Sequence, residues 1–435
     1  MWIGLDVHKE DAFVCELGDE GEVLREFRLP SNREAVREYA SRLGPPDRVA
    51  LESTTHALAF VDLFREHVGK VVLADARRTK AALRMHRKTD RKDARALAEL
   101  LRAGLVPEVW VPDPKTRWWR RRVAHREALV RHRIRVKNRV HGLFHRNMIP
   151  VPAELDLFGP DGEEWIRPAR ERRLPMPDDD REQLEMELEL LEVLDRQVAV
   201  ADRRLAAAGT GHPDVKLLLT IPGVGPAVAS GLVAALGPAE RFPSPKHLVS
   251  YLGLAPSVAQ SGRTVRLGRI TKAGRKHARW LLLEAARRAV RLPGPLAAFY
   301  ERIEDRRLRN VARVAVARKL ATLTWHVLTA RTPCRWTGPL LSREKLRSLE
   351  RRAGEVARSR NSPRPEGELP YHQQRRAERQ SAQEAQDDYV ALTSNWSQRP
   401  APLNFRRAPK AASSRPSGGP RTPSHDAPTL QCRGR

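Results

Sequence analysis

Residues 2–30 read WIGLDVHKEDAFVCELGDEGEVLREFRLP, and the fold is decided there. WIGLDV, AFVCELG and VLREFRLP are short, rich in β-branched and aromatic residues, and separated by polar turns such as GDEGE. That pattern predicts a meander of three strands. A helical stretch follows (NREAVREYASRL), then an apolar strand, RVALEST, at 48–54. Another helix, HALAFVDLFREHV, leads to the strand KVVLADA at 70–76. A hairpin, a third strand and then helix–strand alternation imply a mixed sheet with helices packed on it. DRKDARALAELLRAG then places Ala94, Leu97, Ala98, Leu100 and Leu101 at helical spacing and stops at Gly104.

Beyond a proline-marked linker, VPEVWVPDP (106–114), the chain turns helical and basic. Arg117 to Arg146 hold eleven Lys and Arg and one acid, Glu127. Val123, Leu129, Val130, Ile134, Val140, Leu143 and Phe144 mark a buried stripe on one long helix. Residues 147–180, rich in Pro, Asp and Gly, read as loop. Leu184, Leu191, Val198 and Leu205 then recur every seven residues, with Leu194, Ala201 and Ala208 in the companion seam. That heptad pattern fits a helix hairpin or an oligomeric coiled coil. From Val215 the pattern is compact and helical, interrupted by the Gly/Arg-rich QSGRTVRLGRITKAGRKHAR. Residues 353–435, rich in Pro, Ser, Arg and Gln, are expected to be disordered.

The 435 residues carry 80 Lys and Arg against 53 Asp and Glu, a net charge of +27. The tail from Arg351 contributes +8, so the first 350 residues keep +19. Such a charge calls for a polyanion partner, and nucleic acid is the expectation. A disulfide scaffold and a membrane protein are excluded by composition and by the lack of a long apolar run. The start, MWIGLDVHKED, is too short and acidic for a signal peptide. Cys15, Cys334 and Cys432 form no metal-spaced pair and suit a reducing cytosol.

Four acids stand out. Asp6 lies inside an apolar strand, which is costly without a positive neighbour. Glu52 ends another buried strand. Asp90 and Asp93 are i and i+3, on one side of a helix start. If these four converge they repel one another, and two Mg²⁺ ions about 4 Å apart would relieve that repulsion and clamp a phosphoryl group. Singly, each has a plain alternative: Asp6 as a turn residue, Asp90 as an N-cap, Asp93 paired with Arg91 or Lys92. His8, His56 and His277 have no ligand-spaced partner, so no zinc site is expected.

The ordered set resembles the RNase H-like fold of the RuvC type. GLDVHKE, VALEST, VVLADARRTKAALRMHRKTDRKDARALAELLRAGLVPEVWVP and RHRIRVKNRVHGLF are similar to the N-terminal half of the insertion-sequence 110 family of DEDD transposases, to which Piv-type invertases are also similar. IPGVGPAVASGLVAALG and FPSPKHLVSYLGLAPSVAQSGRTVRLGRITKAGRKHARWLLLEAA resemble that family's second domain. The likeness implies DEDD roles for Asp6, Glu52, Asp90 and Asp93, holding two Mg²⁺ with Mn²⁺ as a substitute. It implies a serine nucleophile at Ser261, in Ser261-Gly262 before Gly268-Arg269-Ile270-Thr271-Lys272; a bare Ser-Gly is a turn, and Ser257 and Ser250 compete. Thr55, Arg275 and Ala278 depart from the family's usual residues, away from that chemistry.

The implied architecture is α/β plus mainly α. A RuvC-type domain spans 1–115, a helical and coiled-coil middle 116–212, and a helical transposase domain 213–352, before the tail. IPGVGPAVAS (221–230) reads as a helix-hairpin-helix, with Gly223 and Gly225 allowing backbone contact to a phosphate, or as a plain helix turn. Arg263, Arg266, Arg269, Lys272, Arg275 and Lys276 crowd one loop. They either grip phosphates or form a solvated face, as do Arg131, Arg135, Lys137 and Arg139 on the basic helix. Trp118 and Trp119 either stack on bases or pack in a core. The resemblance implies a cytoplasmic, nucleoid-associated recombinase acting on double-stranded DNA ends and targets. It also implies an element-encoded guide RNA and a dimer or tetramer. A RuvC-like nuclease using water, and a nucleic-acid-binding relic, are the alternatives.

Overall fold

The computed structural model describes residues 1–83, 89–171, 175–261, 264–335, 338–354 and 370–394. The chain divides into two compact units, Met1–Trp118 and Trp119–Arg435.

In the first unit the expected meander forms as β1 (Trp2–Val7), β2 (Asp11–Leu17) and β3 (Val23–Pro30). Helix α1 (Arg33–Ser41) starts at Asn32, whose Oδ1 accepts from the Ala35 N–H at 2.9 Å. Then come β4 (Arg48–Glu52), α2 (Ala57–Phe64), β5 (Lys70–Ala74), α3 (Ala76–Leu83) and α4 (Asp90–Arg102). The strand order is β3-β2-β1-β4-β5, with β1, β4 and β5 parallel and the meander antiparallel. This is a mixed sheet of the kind expected, consistent with an RNase H-like domain.

Alternation along each strand separates two faces. Ile3, Leu5, Val7, Val49 and Leu51 bury against Tyr39, Phe60 and Phe64 of α1 and α2. On the other face Ala50, Val72 and Ala74 meet Leu97 and Leu101 of α4, while Cys15 and Leu17 meet Ala94 and Ala98. Small residues let α4 sit close. A Cβ on Gly4 would stand 2.0 Å from the Ala94 carbonyl oxygen and 2.6 Å from the Ala98 nitrogen. Asp6, two residues further along β1, belongs to the same face.

The second unit holds most of α5 (Pro114–Arg146), which pairs with α7 (Asp178–Thr210). Arg126 binds Asp202, Arg133 binds Asp195, Arg139 binds Glu187 and Arg146 binds Asp180. As the arginine number rises the acid number falls, so the helices run antiparallel. Leu184, Leu191 and Leu194 of the heptad seam bury against Val136, Val140, Leu143 and Phe144 of α5. At the far end Gly209 approaches Leu349. The seam therefore closes within the chain. The stretch read as loop at 147–180 contains α6 (Pro160–Arg170), begun by Gly159 and Pro160 and held by a Phe144–Trp165 ring contact at 5.0 Å.

The rest comprises α8 (Pro213–Leu219), α9 (Pro226–Leu236), α10 (Pro245–Tyr251), a hairpin of β6 (Pro256–Ser261) and β7 (Thr264–Ile270), then α11 (Lys276–Ala289), α12 (Pro295–Glu304), α13 (Arg309–Ala330), α14 (Pro339–Ala353) and α15 (Tyr371–Ser394). Two expectations need correction. The Gly/Arg-rich segment is a β-ribbon in a region expected to be helix and loop. Its strands are almost wholly exposed, so no apolar alternation announced them. Residues 371–394, inside the stretch expected to be disordered, form α15. This helix is low in hydrophobic residues but rich in good helix formers, and it is docked by polar contacts. Gln386 accepts from the Gly294 N–H at 2.8 Å, Glu378 from the Leu340 N–H at 2.5 Å, and the Tyr389 hydroxyl from Arg302 at 3.3 Å. The remaining tail, 355–369 and 395–435, lies outside the described residues. Among those described, no helix is long and apolar enough to cross a membrane.

Gly4→Val is expected to push α4 off the sheet and cost about 3 kcal/mol, the upper end for overpacking. A urea unfolding midpoint equal to wild type would contradict the close approach.

Candidate active site

Asp6 is buried, at 2% exposure, yet ionisable. It sits in β1 opposite Phe13 rather than in a turn. In β4 the partner of Leu5 is Leu51, so Asp6 and Glu52 stand one step beyond a register pair on neighbouring parallel strands. They share the face that α4 covers. Thr89, not Asp90, caps α4, its Oγ1 accepting from the Lys92 N–H at 3.3 Å. Asp90 and Asp93 fall in the first turn, where the helix dipole favours negative charge. Arg91 pairs with Glu26 at 2.5 Å.

The structure brings Asp6 and Asp90 together through a residue that sequence spacing passed over. His8 Nε2 lies 3.2 Å from Asp6 Oδ2 and 3.3 Å from Asp90 Oδ1. One donor atom from each of Asp6, His8 and Asp90 lies within 4.8 Å of the others, a group able to hold a metal ion. Glu52 and Asp93, both half-buried, are outside that tight group. Arg28 adds a cation, 3.6 Å from Asp90 and 2.7 Å from Asp11. The expectation that His8 has no ligand-spaced partner is thus corrected. Its partner two residues back on the strand, Asp6, was the available signal; Asp90 was not visible locally.

In the second unit Ser261 ends β6, exposed, and pairs with Thr264 of β7. Gly262 and Arg263 lie outside the described residues. Arg266, Arg269 and Lys272 are exposed along or just after β7, and Val258 and Leu267 are 59% and 55% exposed. Ser257 and Ser250 are exposed as well, so burial does not separate the three serines. Gly223, at φ +79°, is buried against α11: a Cβ there would stand 2.2 Å from the Ala285 carbonyl oxygen. Gly225 caps α9 and is half-buried.

The basic helix divides into two groups. Arg139 is committed to Glu187, with Nη2 donating to Oε2 at 2.6 Å, and Arg131 to Glu127. Lys137 lies 4.4 Å from the centre of the Phe158 ring, and burial lowers its ammonium below the usual range. Arg135 is exposed. Trp119 is 3% exposed and packs edge-on against His212, which is core packing rather than base stacking.

Comparison with known proteins joins these two regions. A DEDD transposase model of the IS110 type matches residues 3–148, and one described as transposase IS116/IS110/IS902 family matches 215–301. The chain belongs to the IS110 transposase family. The two matches span more than half of it, and hold all four acids and Ser261. A probable family 20 transposase of Pseudomonas aeruginosa is 28% identical over 340 residues, 76% of this chain and 97% of that protein. The IS116 uncharacterized 44.8 kDa protein of Streptomyces clavuligerus is 24% identical over 387 residues, 75% and 94%. The pilin gene-inverting protein of Moraxella bovis is 35% identical over 121 residues, 27% and 37%. As an IS110-family transposase the chain is an enzyme that acts on DNA. The DEDD type points to a divalent cation at the acidic end of the sheet.

Arg135→Ala is expected to leave the fold unchanged and to shallow the salt dependence of DNA binding by about one in log–log slope. Arg139→Ala leaves Glu187 half-stranded and should lower the unfolding midpoint instead. Equal thermal stability of the two variants would contradict this division.

Proposed function

We propose that this transposase cuts and rejoins insertion-element ends and target DNA by metal-dependent transesterification, with Ser261 as nucleophile. The observation that carries this reading is the buried Asp6 carboxylate brought to Asp90 and His8. Asp6, Glu52, Asp90 and Asp93 would hold the metal, with two Mg²⁺ as the working form and Mn²⁺ as substitute. Hard carboxylate oxygens suit Mg²⁺, while the imidazole nitrogen of His8 suits Mn²⁺ better. When bound, the metal supplies Lewis-acid polarisation of the scissile phosphate.

Ser261 loses its hydroxyl proton and its Oγ forms a bond to phosphorus. The bond to the 3′-oxygen breaks, and that oxygen takes up a proton. A partner 3′-hydroxyl then attacks the phosphoserine, rejoins DNA and restores the serine. One phosphoester replaces another at each step, so no external energy source is needed. Arg266, exposed on β7 two pairs from Ser261, favours the phosphates flanking the break. Arg269 and Lys272, toward the other end of the ribbon, would meet phosphates farther along the strand, and we assign Arg263, outside the described residues, the same phosphate-binding role. Family membership and the +27 charge support double-stranded DNA and an element-encoded guide RNA as partners. We place self-association, as dimer or tetramer, on the exposed row Met186, Leu190, Val193 and Val200 of α7.

The test is labelled donor-end DNA with flanking element RNA and Mg²⁺, denatured and scored for label migrating with protein. Adduct is expected in wild type, none in Ser261→Ala, and neither adduct nor cleavage in Asp6→Ala. Cleavage without adduct in both wild type and Ser261→Ala would replace the serine with water. Retained activity in Asp6→Ala would remove the acidic site.

A further inference from the structure

Between α5, α9 and the start of α11 lies a cavity of about 340 Å³ lined by Arg120, Glu127, Arg275, Lys276 and His277. Its wall is built by a turn at Gly274, φ +105°, a conformation that favours glycine. That turn brings Arg275 Nε to donate to the Tyr251 hydroxyl at 2.9 Å. Arg120 donates to the Ala234 and Ala235 carbonyls, which end α9, and lies 3.4 Å from the same hydroxyl. The Arg241 guanidinium stands 4.5 Å from the centre of the Tyr251 ring.

Three guanidinia thus surround one phenol, and the field there is positive. Burial would raise Tyr251, yet Arg275, Arg120 and Arg241 together hold it below the usual tyrosine range. Arg120 is itself lowered to about 10, by burial first and then by Arg275. Arg275 and Lys276 are exposed at the mouth. Glu127 is the one acid among the lining residues, and it is bonded to Arg131 and to His277 Nδ1, the latter at 3.0 Å. An anionic group entering here meets more positive than negative charge.

Beside the cavity is a flat apolar face. Trp280, one turn after Lys276 and His277, is 45% exposed and stacks on the His277 ring at 5.6 Å and 25°. Burial lowers His277 below the usual histidine range. A basic pocket next to a part-exposed indole has the two parts of a nucleotide site. Bases in a duplex have both faces covered by neighbours, whereas an unpaired base offers a face to stack.

We propose that this pocket binds an unpaired nucleotide of a single strand, DNA or RNA, with Arg275 and Lys276 on its phosphate and Trp280 on its base. The assignment deepens the reading of the chain as a nucleic-acid-processing enzyme and rests on it. It does not depend on Ser261 or the acidic site.

The test is tryptophan fluorescence of the full chain, without divalent metal, titrated with one short sequence as single-stranded DNA, as single-stranded RNA and as duplex DNA. The signal is the quench that Trp280→Ala removes. Single strands are expected to produce it and the duplex not. Arg275→Gln, which leaves the Arg120 contacts to α9 in place, should weaken it about tenfold, in the range of one base-stacking or charge contact. Tighter binding of RNA would identify a guide strand as the source, and of DNA a displaced strand. Ser261→Ala and Asp6→Ala should quench as wild type does, so failure of the catalytic reading is scored separately. A quench unchanged in Trp280→Ala, or a duplex producing the same Trp280-dependent quench, would overturn the assignment.

Discussion

An ionisable carboxylate at 2% exposure on the first strand is the constraint around which the first unit is arranged. Such a group is stable only if compensated. Compensation comes from an imidazole two residues on, just past the end of β1, and, across a second carboxylate, from an arginine of β3. Bringing that second carboxylate close requires α4 to lie nearly against the sheet backbone, and Gly4 is what permits it. The alanines at 94 and 98 serve the same close packing. Site and packing are thus one feature: the residue that lets the helix approach is two positions from the acid that the helix start faces.

Much of this was legible in the sequence. The strands, their mixed order and the first-turn placement of Asp90 and Asp93 follow from alternation and helical spacing. His8 was not, because its second partner, Asp90, is distant along the chain and only the fold brings it near. The heptad seam was legible as a seam, but its partner was open. The four arginine–acid pairs between α5 and α7 settle most of it as an internal hairpin. The same pairs show why a run of basic residues is a poor guide to a nucleic-acid surface. Arg139 belongs to the hairpin, while Arg135 faces solvent.

In the second unit, two of the segments that escaped sequence reading, the β6–β7 ribbon and α15, have little burial. The β6–β7 ribbon is exposed on both faces, so its strands lack an apolar side. Helix α15 docks through glutamine, glutamate and tyrosine rather than through an apolar stripe. The ribbon carries the exposed Ser261 at the end of β6. The arginine cluster around Tyr251 illustrates a related point. Arg120, Arg241 and Arg275 are far apart in sequence, and only packing gathers them around one phenol.

The central claim is that the acidic end of β1 is a cation site rather than a self-satisfied hydrogen-bond cluster. Mn²⁺ binding to the full chain, followed by loss of the free-ion paramagnetic resonance signal, tests it without any reaction. Wild type should take up Mn²⁺, while Asp6→Asn and Asp90→Asn, each verified as folded, should leave the free-ion signal nearly undiminished. Equal uptake by all three proteins would contradict the account.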